Sequence, residues 1–189
     1  MNVARILYPV QVLGPGNRVG IWLCGCSRAC KGCSNPELWD QKPELEVSPS
    51  EVYSLIQKVA SSHLIDGFTI TGGEPMDQAQ SLSELLGLIS EFSNDILVYT
   101  GYRIEELKGR NDSSTDSVLE KISVLIDGAY VEELNNNTVL RGSSNQRIHV
   151  INEMYTDQYK RYLSETHNQI QNFSTANGVV SVGIHRPTF

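Results

Sequence analysis

No apolar run in the chain approaches the roughly 18 residues a helix needs to cross a bilayer. The amino terminus has no secretory pattern either, because Tyr8-Pro9 and Gly14-Pro15-Gly16 interrupt any apolar stretch there. A cytoplasmic protein without a membrane partner is the expectation. Basic residues are short: 15 Lys+Arg stand against 22 Asp+Glu, a formal charge of −7 over 189 residues. That disfavours a broad phosphate-neutralising surface, so nucleic acid is not expected as a partner. Hydrophobic residues make up 40% and charged residues 20%, which excludes disorder, collagen and coiled coil. One domain spanning residues 1–189 is expected, long enough to bury a core without covalent staples. Cysteine is scarce, with four in all, yet every one falls between Cys24 and Cys33. Disulfides are not expected in a reducing compartment, so the crowding points to metal.

Short β-branched runs alternate with helical patterns. The runs are Val19-Gly20-Ile21-Trp22-Leu23, Phe68-Thr69-Ile70-Thr71, Ile96-Leu97-Val98-Tyr99, Val124-Leu125-Ile126, Ile148-His149-Val150-Ile151 and Val179-Val180-Ser181-Val182. Each reads as a strand buried on both faces, as in a parallel sheet. Between the first two, Ser48, Pro49 and Glu51 form a capping-box start, with Val47 and Val52 as a staple. Val52, Leu55, Ile56 and Val59 would be that helix's apolar face. A second helix after Pro75 carries Leu82, Leu85, Leu86 and Ile89, and a short one lies near Ser117-Val118-Leu119-Glu120. Residues 155–164 form a weaker polar helix. Residues 109–115 and 135–137 read as surface loops.

The order β-α-β-α-β-α-β predicts right-handed crossovers and an α/β core. A closed eightfold barrel needs about 250 residues. An open, partial parallel β/α barrel is therefore expected.

Cys26-Ser27-Arg28-Ala29-Cys30-Lys31-Gly32-Cys33 has CxxxCxxC spacing directly after the first predicted strand. A loop of this length can place three thiolates on three irons of a [4Fe-4S] cubane, leaving the fourth iron open for chemistry. The alternative is structural zinc, which asks for four closed ligands. There is no second cysteine pair, and the nearest histidine, His63, lies 30 residues past Cys33. Cys24 is expected to pack as a small buried thiol. His63, His149, His167 and His185 hold no ligand spacing and are expected to be structural.

CxxxCxxC after the first strand of a partial barrel resembles the radical S-adenosylmethionine (SAM) superfamily. Gly14-Pro15-Gly16-Asn17-Arg18, the cysteines with Asn35, and Trp39-Asp40 resemble the glycyl-radical-enzyme activases. Tyr99-Thr100-Gly101-Tyr102, Val124-Leu125-Ile126-Asp127-Gly128 and Arg141-Gly142-Ser143-Ser144-Asn145-Gln146-Arg147 are similar to those that activate anaerobic ribonucleotide reductase. The likeness covers residues 6–150 and leaves the tail, 151–189, unassigned. It implies two cofactors, a [4Fe-4S] cluster and SAM, and an electron donor such as flavodoxin or ferredoxin. It also implies a partner, a glycyl radical enzyme, most closely anaerobic ribonucleotide reductase. By the same likeness, Gly72, Gly73 and Glu74 contact the amino group of SAM, and the Gly-Pro-Gly loop presents the partner's peptide. Those activases usually carry Asp or Asn before Gly-Pro-Gly, where this chain has Leu13.

The residues support parts of this directly. Thr71-Gly72-Gly73-Glu74-Pro75 ends a predicted strand where α/β proteins place ligands, and the glycines allow close backbone approach. It could equally be a plain strand-to-helix turn. Thr100 and Asp127 end the next two strands, as pocket groups or as local caps. Asn145 sits in a polar segment that reads either as a ligand-holding loop or as a solvated one. Two other readings stand beside the activase: a radical SAM enzyme acting on another peptide or small molecule, and a non-enzymatic iron–sulfur or zinc module.

Overall fold

The computed structural model describes residues 1–176 and 178–184. Its frame is a six-stranded sheet in strict chain order, β1 (Val3–Val10), β2 (Arg18–Leu23), β3 (Gly67–Gly72), β4 (Ile96–Thr100), β5 (Val124–Asp127) and β6 (Arg147–Val150). The pairs β2–β3, β3–β4 and β4–β5 are parallel, as expected. The two edges are antiparallel: β1 against β2, and β6 against β5. The sheet is α/β and parallel-rich, and among the described residues it does not close into a barrel.

Between the parallel strands lie α1 (Pro49–Ala60), α2 (Ala79–Ile89), α3 (Ile104–Lys108) and α4 (Ser113–Lys121); α5 (Thr156–Glu165) follows β6. Ser48 caps α1 with the full capping box. Monotonic strand order with crossovers of one hand sends the connecting helices to one face. There Val19, Ile21, Leu23, Phe68, Ile70, Ile96, Val98 and Leu125 meet Val52, Ile56, Leu82, Leu85, Leu86, Ile89 and Val118. The alternate side chains point the other way. Trp22 joins Leu13, Cys24, Leu38 and Val182, while Leu97, Val124 and Ile126 join Leu140 and Tyr159. That face carries none of the connecting helices; α5 covers it at Leu97, Val124 and Ile126 through Tyr159, and the carboxyl ends of the strands are left to hold a cavity.

Several expectations are corrected. The Ile148 run is antiparallel, because residues 128–146 supply only a 3-10 turn, Glu132–Leu134, and no crossover helix to restore direction. The Val179 run leaves the main sheet. It forms β8 (Gly178–Val182), paired with β7 (Gln171–Thr175) as a separate hairpin, with Val179 68% exposed. Leu55 is half exposed rather than part of the α1 core face. The loop expected at 109–115 gives way to α4 at Ser113, with Thr115 buried, and Asn135 is also buried. His185 and the end of the tail after it lie outside the described residues.

At the amino ends of the strands, Arg18 is fully buried and pairs with Asp95 at 2.8 Å. Arg18 also donates to Thr69 Oγ1 and the Phe68 carbonyl, while Tyr159 Oη donates to Asp95 at 2.7 Å. The α5 helix is thereby locked under the sheet. No helix among the described residues is long and apolar enough to cross a membrane.

Candidate functional site

All four parallel strands break at their carboxyl ends into glycine turns around one cavity. β2 runs into Gly25 and Cys26, β3 into Gly72, Gly73 and Glu74, β4 into Thr100 and Gly101, and β5 into Asp127 and Gly128. The cavity, about 1180 Å3 with its open mouth, is lined by Cys26, Cys30, Cys33, Gly72, Gly73, Glu74 and Thr100 among others. Elements far apart in the chain, from Cys26 to Gly128, therefore share one space.

The glycine turn is required sterically. A Cβ on Gly73 would sit 2.3 Å from the Gly25 carbonyl oxygen, and Gly72 has φ +105° against the Leu23 backbone. The two strand ends are zipped together, with Gly73 N–H donating to the Leu23 carbonyl at 2.7 Å and Glu74 N–H to the Gly25 carbonyl at 2.8 Å. From the other side, Cys26 N–H donates to the Trp39 carbonyl. Arg28, inside the cysteine loop, donates to the Gly101 carbonyl and lies 4.5 Å over the Tyr102 ring. Tyr102 Oη in turn donates to Asp77, which also accepts from Ser27 N–H. The loop between the cysteines is held on three sides before any cofactor enters.

Cys26, Cys30 and Cys33 are free thiols of intermediate burial, and Cys24 is fully buried beside Leu38 and Trp22, the packing place expected of it. Burial pushes the Cys26 thiol up, the N–H groups of Ala29 and Arg28 pull it back, and the neighbouring Glu74 adds to the rise. Asn35 N–H donates to Cys33 Sγ at 3.4 Å. Among the described residues no three Cys, His, Asp or Glu side chains converge tightly enough to hold a single metal ion.

Glu74 is 1% exposed. Its Oε1 accepts from Met76 N–H at 2.9 Å and Thr100 Oγ1 at 2.8 Å, and its Oε2 from Gly101 N–H at 2.7 Å. Burial pushes its pKa up to about 7 despite these three donors. Thr100 caps its own turn by accepting from Tyr102 N–H. Asp127 and Asn145 sit behind the wall, which Gly128, Gly142 and Gln146 form instead. Asp127 is fully buried and accepts from Arg103, Arg147 and Ile104 N–H, with His149 Nε2 at 3.1 Å. Burial alone would raise its carboxyl; Arg147, Ile104 N–H and His149 outweigh that and hold it well below the usual range. Asn145 Nδ2 donates to the Ala129 carbonyl, and its Oδ1 is buried with no partner among the described residues. Of residues 13–18, only Leu13 lines the cavity.

Residue-level reading of the sequence did not single out Trp39. It lines the cavity, and its indole Nε1–H is buried with no acceptor among the described residues. The signal in the sequence was the Trp39-Asp40 pair that follows the cysteines and resembles the activases, which carried no role for the indole. An orphaned donor on the wall, three free thiols on a pinned loop and a turn with no room for Cβ all suit an iron–sulfur group with a second ligand against it.

The chain matches the family described as a 4Fe-4S single cluster domain over residues 12–149. It is 34% identical over 154 residues to the anaerobic ribonucleoside-triphosphate reductase-activating protein of Enterobacteria phage T4, covering 78% of this chain and 93% of that one. The chain belongs to this family of activating proteins. The relative from Escherichia coli K12 is 30% identical over 150 residues, covering 75% of this chain and 94% of its own. That from Vibrio cholerae is 33% identical over the same 150-residue length. The family match to the cluster domain takes in the cysteine loop, the glycine turn and the ends of β4 and β5. In this activating-protein homologue it stops at residue 149, before α5, β7 and β8.

Proposed function

We propose that this chain is a radical SAM activase, which holds a [4Fe-4S] cluster through Cys26, Cys30 and Cys33 and binds SAM against it. Its substrate would be a glycyl radical enzyme, an anaerobic ribonucleotide reductase. One observation carries this reading: the three thiols and the Gly72-Gly73-Glu74 turn open on one cavity in a chain related throughout that region to reductase-activating proteins. The singly wound, unclosed sheet supports a radical SAM-type partial barrel within a single domain.

Cys26, Cys30 and Cys33 would hold the cluster, which when bound would supply the one-electron reduction of SAM and so the radical chemistry directed at a glycine of the partner. The residues supply the rest. Gly72 and Gly73 let the backbone approach the ligand, and Glu74, ionised by an approaching ammonium group, faces the SAM amino end. Thr100 holds Glu74 in place through its hydroxyl. Asp127 and Asn145 act from behind the wall, with Asp127 fixing Arg103 and Arg147 and the free Asn145 Oδ1 available to the segment around Gln146. Trp39 offers its indole N–H to the cluster side of the cavity. A flavodoxin or ferredoxin of the cytoplasm would supply the electron.

Anaerobic reconstitution with iron, sulfide, SAM, reductant and the partner reductase tests the proposal. The expected result is 5′-deoxyadenosine together with a glycine-centred radical by electron paramagnetic resonance. Stoichiometric zinc without SAM turnover would overturn the enzyme reading. Turnover without a glycine radical would move the assignment to a radical SAM enzyme acting on another peptide or small molecule.

A further inference from the structure

The β7–β8 hairpin lies beyond the family match, yet it is built into the site. Ser181, Val182, Gly183 and Ile184 line the same cavity as the three thiols. The hairpin is firmly attached. Gln171 Nε2 donates to the Pro9 carbonyl at 2.7 Å, and Gln171 Oε1 accepts from Gln11 N–H at 2.9 Å, which fastens β7 to the end of β1. Val182 is 4% exposed and shares a cluster with Leu13 and Trp22, against which Phe173, Val180 and Ile184 also pack. Gly183 turns the chain out of β8 at φ +147°, where a Cβ would lie 2.2 Å from the Gln169 carbonyl oxygen. That exit is fixed to glycine on steric grounds.

A glycine substrate sets an unusual recognition problem, because it offers no side chain to read. Selectivity must come from main-chain contacts and from the residues flanking the glycine. Among the described residues β8 pairs with β7 alone, and an extended peptide is read through its main chain when it adds to the edge of such a strand. Leu13, Val182 and Ile184 beside it form an apolar step for a flanking side chain. The apolar residue before Gly-Pro-Gly thereby acquires a reason: a polar group at Leu13 would be buried against Val182 without a partner.

Resting on the reading of the preceding subsection, we propose that residues 181–184, with Leu13, form the wall that reads the glycine-bearing segment of the partner reductase. The segment lies extended along β8, and its flanking apolar side chain rests on the Leu13–Val182 step. Residues 181–184 lie beyond the family match, which ends at residue 149, whereas Leu13 lies within it.

The test uses the full-length reconstituted protein with Ser181→Arg and Ile184→Asp as separate variants, each checked for native circular dichroism. Ser181 is exposed, so its replacement does not disturb the core. The expected result is a KM for the reductase and a Kd for its direct binding both at least tenfold higher, with the smaller change in kcat. A KM and Kd within twofold of the parent in both variants, or tighter binding, would overturn the assignment. Tighter binding would instead mark the hairpin as an obstruction. If the parent protein yields no 5′-deoxyadenosine, the activase reading fails and the wall assignment falls with it. Normal parent activity with unmoved variants sinks the wall alone.

Discussion

Glu74 Oε1 accepts a 2.8 Å hydrogen bond from Thr100 Oγ1, so the carboxylate that ends β3 also holds the end of β4. Its second oxygen accepts from Gly101 N–H, and the two parallel strands are tied at the floor of the cavity. Burial carries the cost, since it pushes this carboxyl from 4.5 up to about 7.

That shift predicts a pH signature in the unloaded protein. Between about 4.5 and about 7 the folded state keeps a proton that the unfolded state has released. Stability from this group therefore falls as pH rises through that window and levels off above it, by roughly 3 kcal/mol in all. Urea denaturation at pH 5 and pH 8 should show the fall in the parent and lose it in Glu74→Gln. Identical pH profiles for the two proteins would refute the assignment.

The cysteines should separate three to one. Alanine at Cys26, Cys30 or Cys33 should each abolish the visible absorption and iron content of an iron–sulfur cluster. Alanine at Cys24 should leave both intact and cost about 1 kcal/mol through lost packing. Loss of iron in the Cys24 variant would contradict the division.

Arg18 and Asp95 form a buried pair at the opposite end of the sheet from the cavity. Arg18→Met leaves the enclosed Asp95 carboxyl without its cation and served only by Tyr159 and Gln158. The expected loss is about 3–5 kcal/mol by denaturant titration. A loss under about 1 kcal/mol would show that the pair contributes little.

Asp127 should act with the opposite sign to Glu74. Its carboxyl is held below its ordinary 3.8, so its contribution is present above that pH and is lost as acid carries the pH below it. Asp127→Asn should cost about 2 kcal/mol at pH 7, a figure reduced because Arg103 and Arg147 reach solvent. The same variant should flatten the acid limb below about pH 4, as measured by thermal melts across pH. An acid limb as steep as the parent's would exclude this role.

The parallel core was legible because strands covered on both faces read as unbroken β-branched runs, and Ser48, Pro49 and Glu51 mark α1 without ambiguity. The edges were not. β1 contains Arg5 and Pro9, which look like interruptions but suit an edge strand with one free side. Val179 to Val182 has the composition of a core strand, yet most of it faces solvent in the hairpin, and composition cannot distinguish the two. In the site, the cysteine spacing and the glycine turn were readable because their chemistry is local. Asp127 was readable as a strand end but not as the centre of an ion-pair cluster, since its partners Arg103 and Arg147 approach from both sides in sequence.

By itself, the sequence determined a three-cysteine loop, a Gly-Gly-Glu turn and a run of parallel strands, because spacing and periodicity act over a few residues. Only the tertiary structure decided that these meet at one cavity, that Arg18 finds Asp95 beneath it, and that the tail returns as a wall beside Leu13. Those outcomes depend on crossover handedness and on satisfying buried charges, which couple residues far apart in the chain.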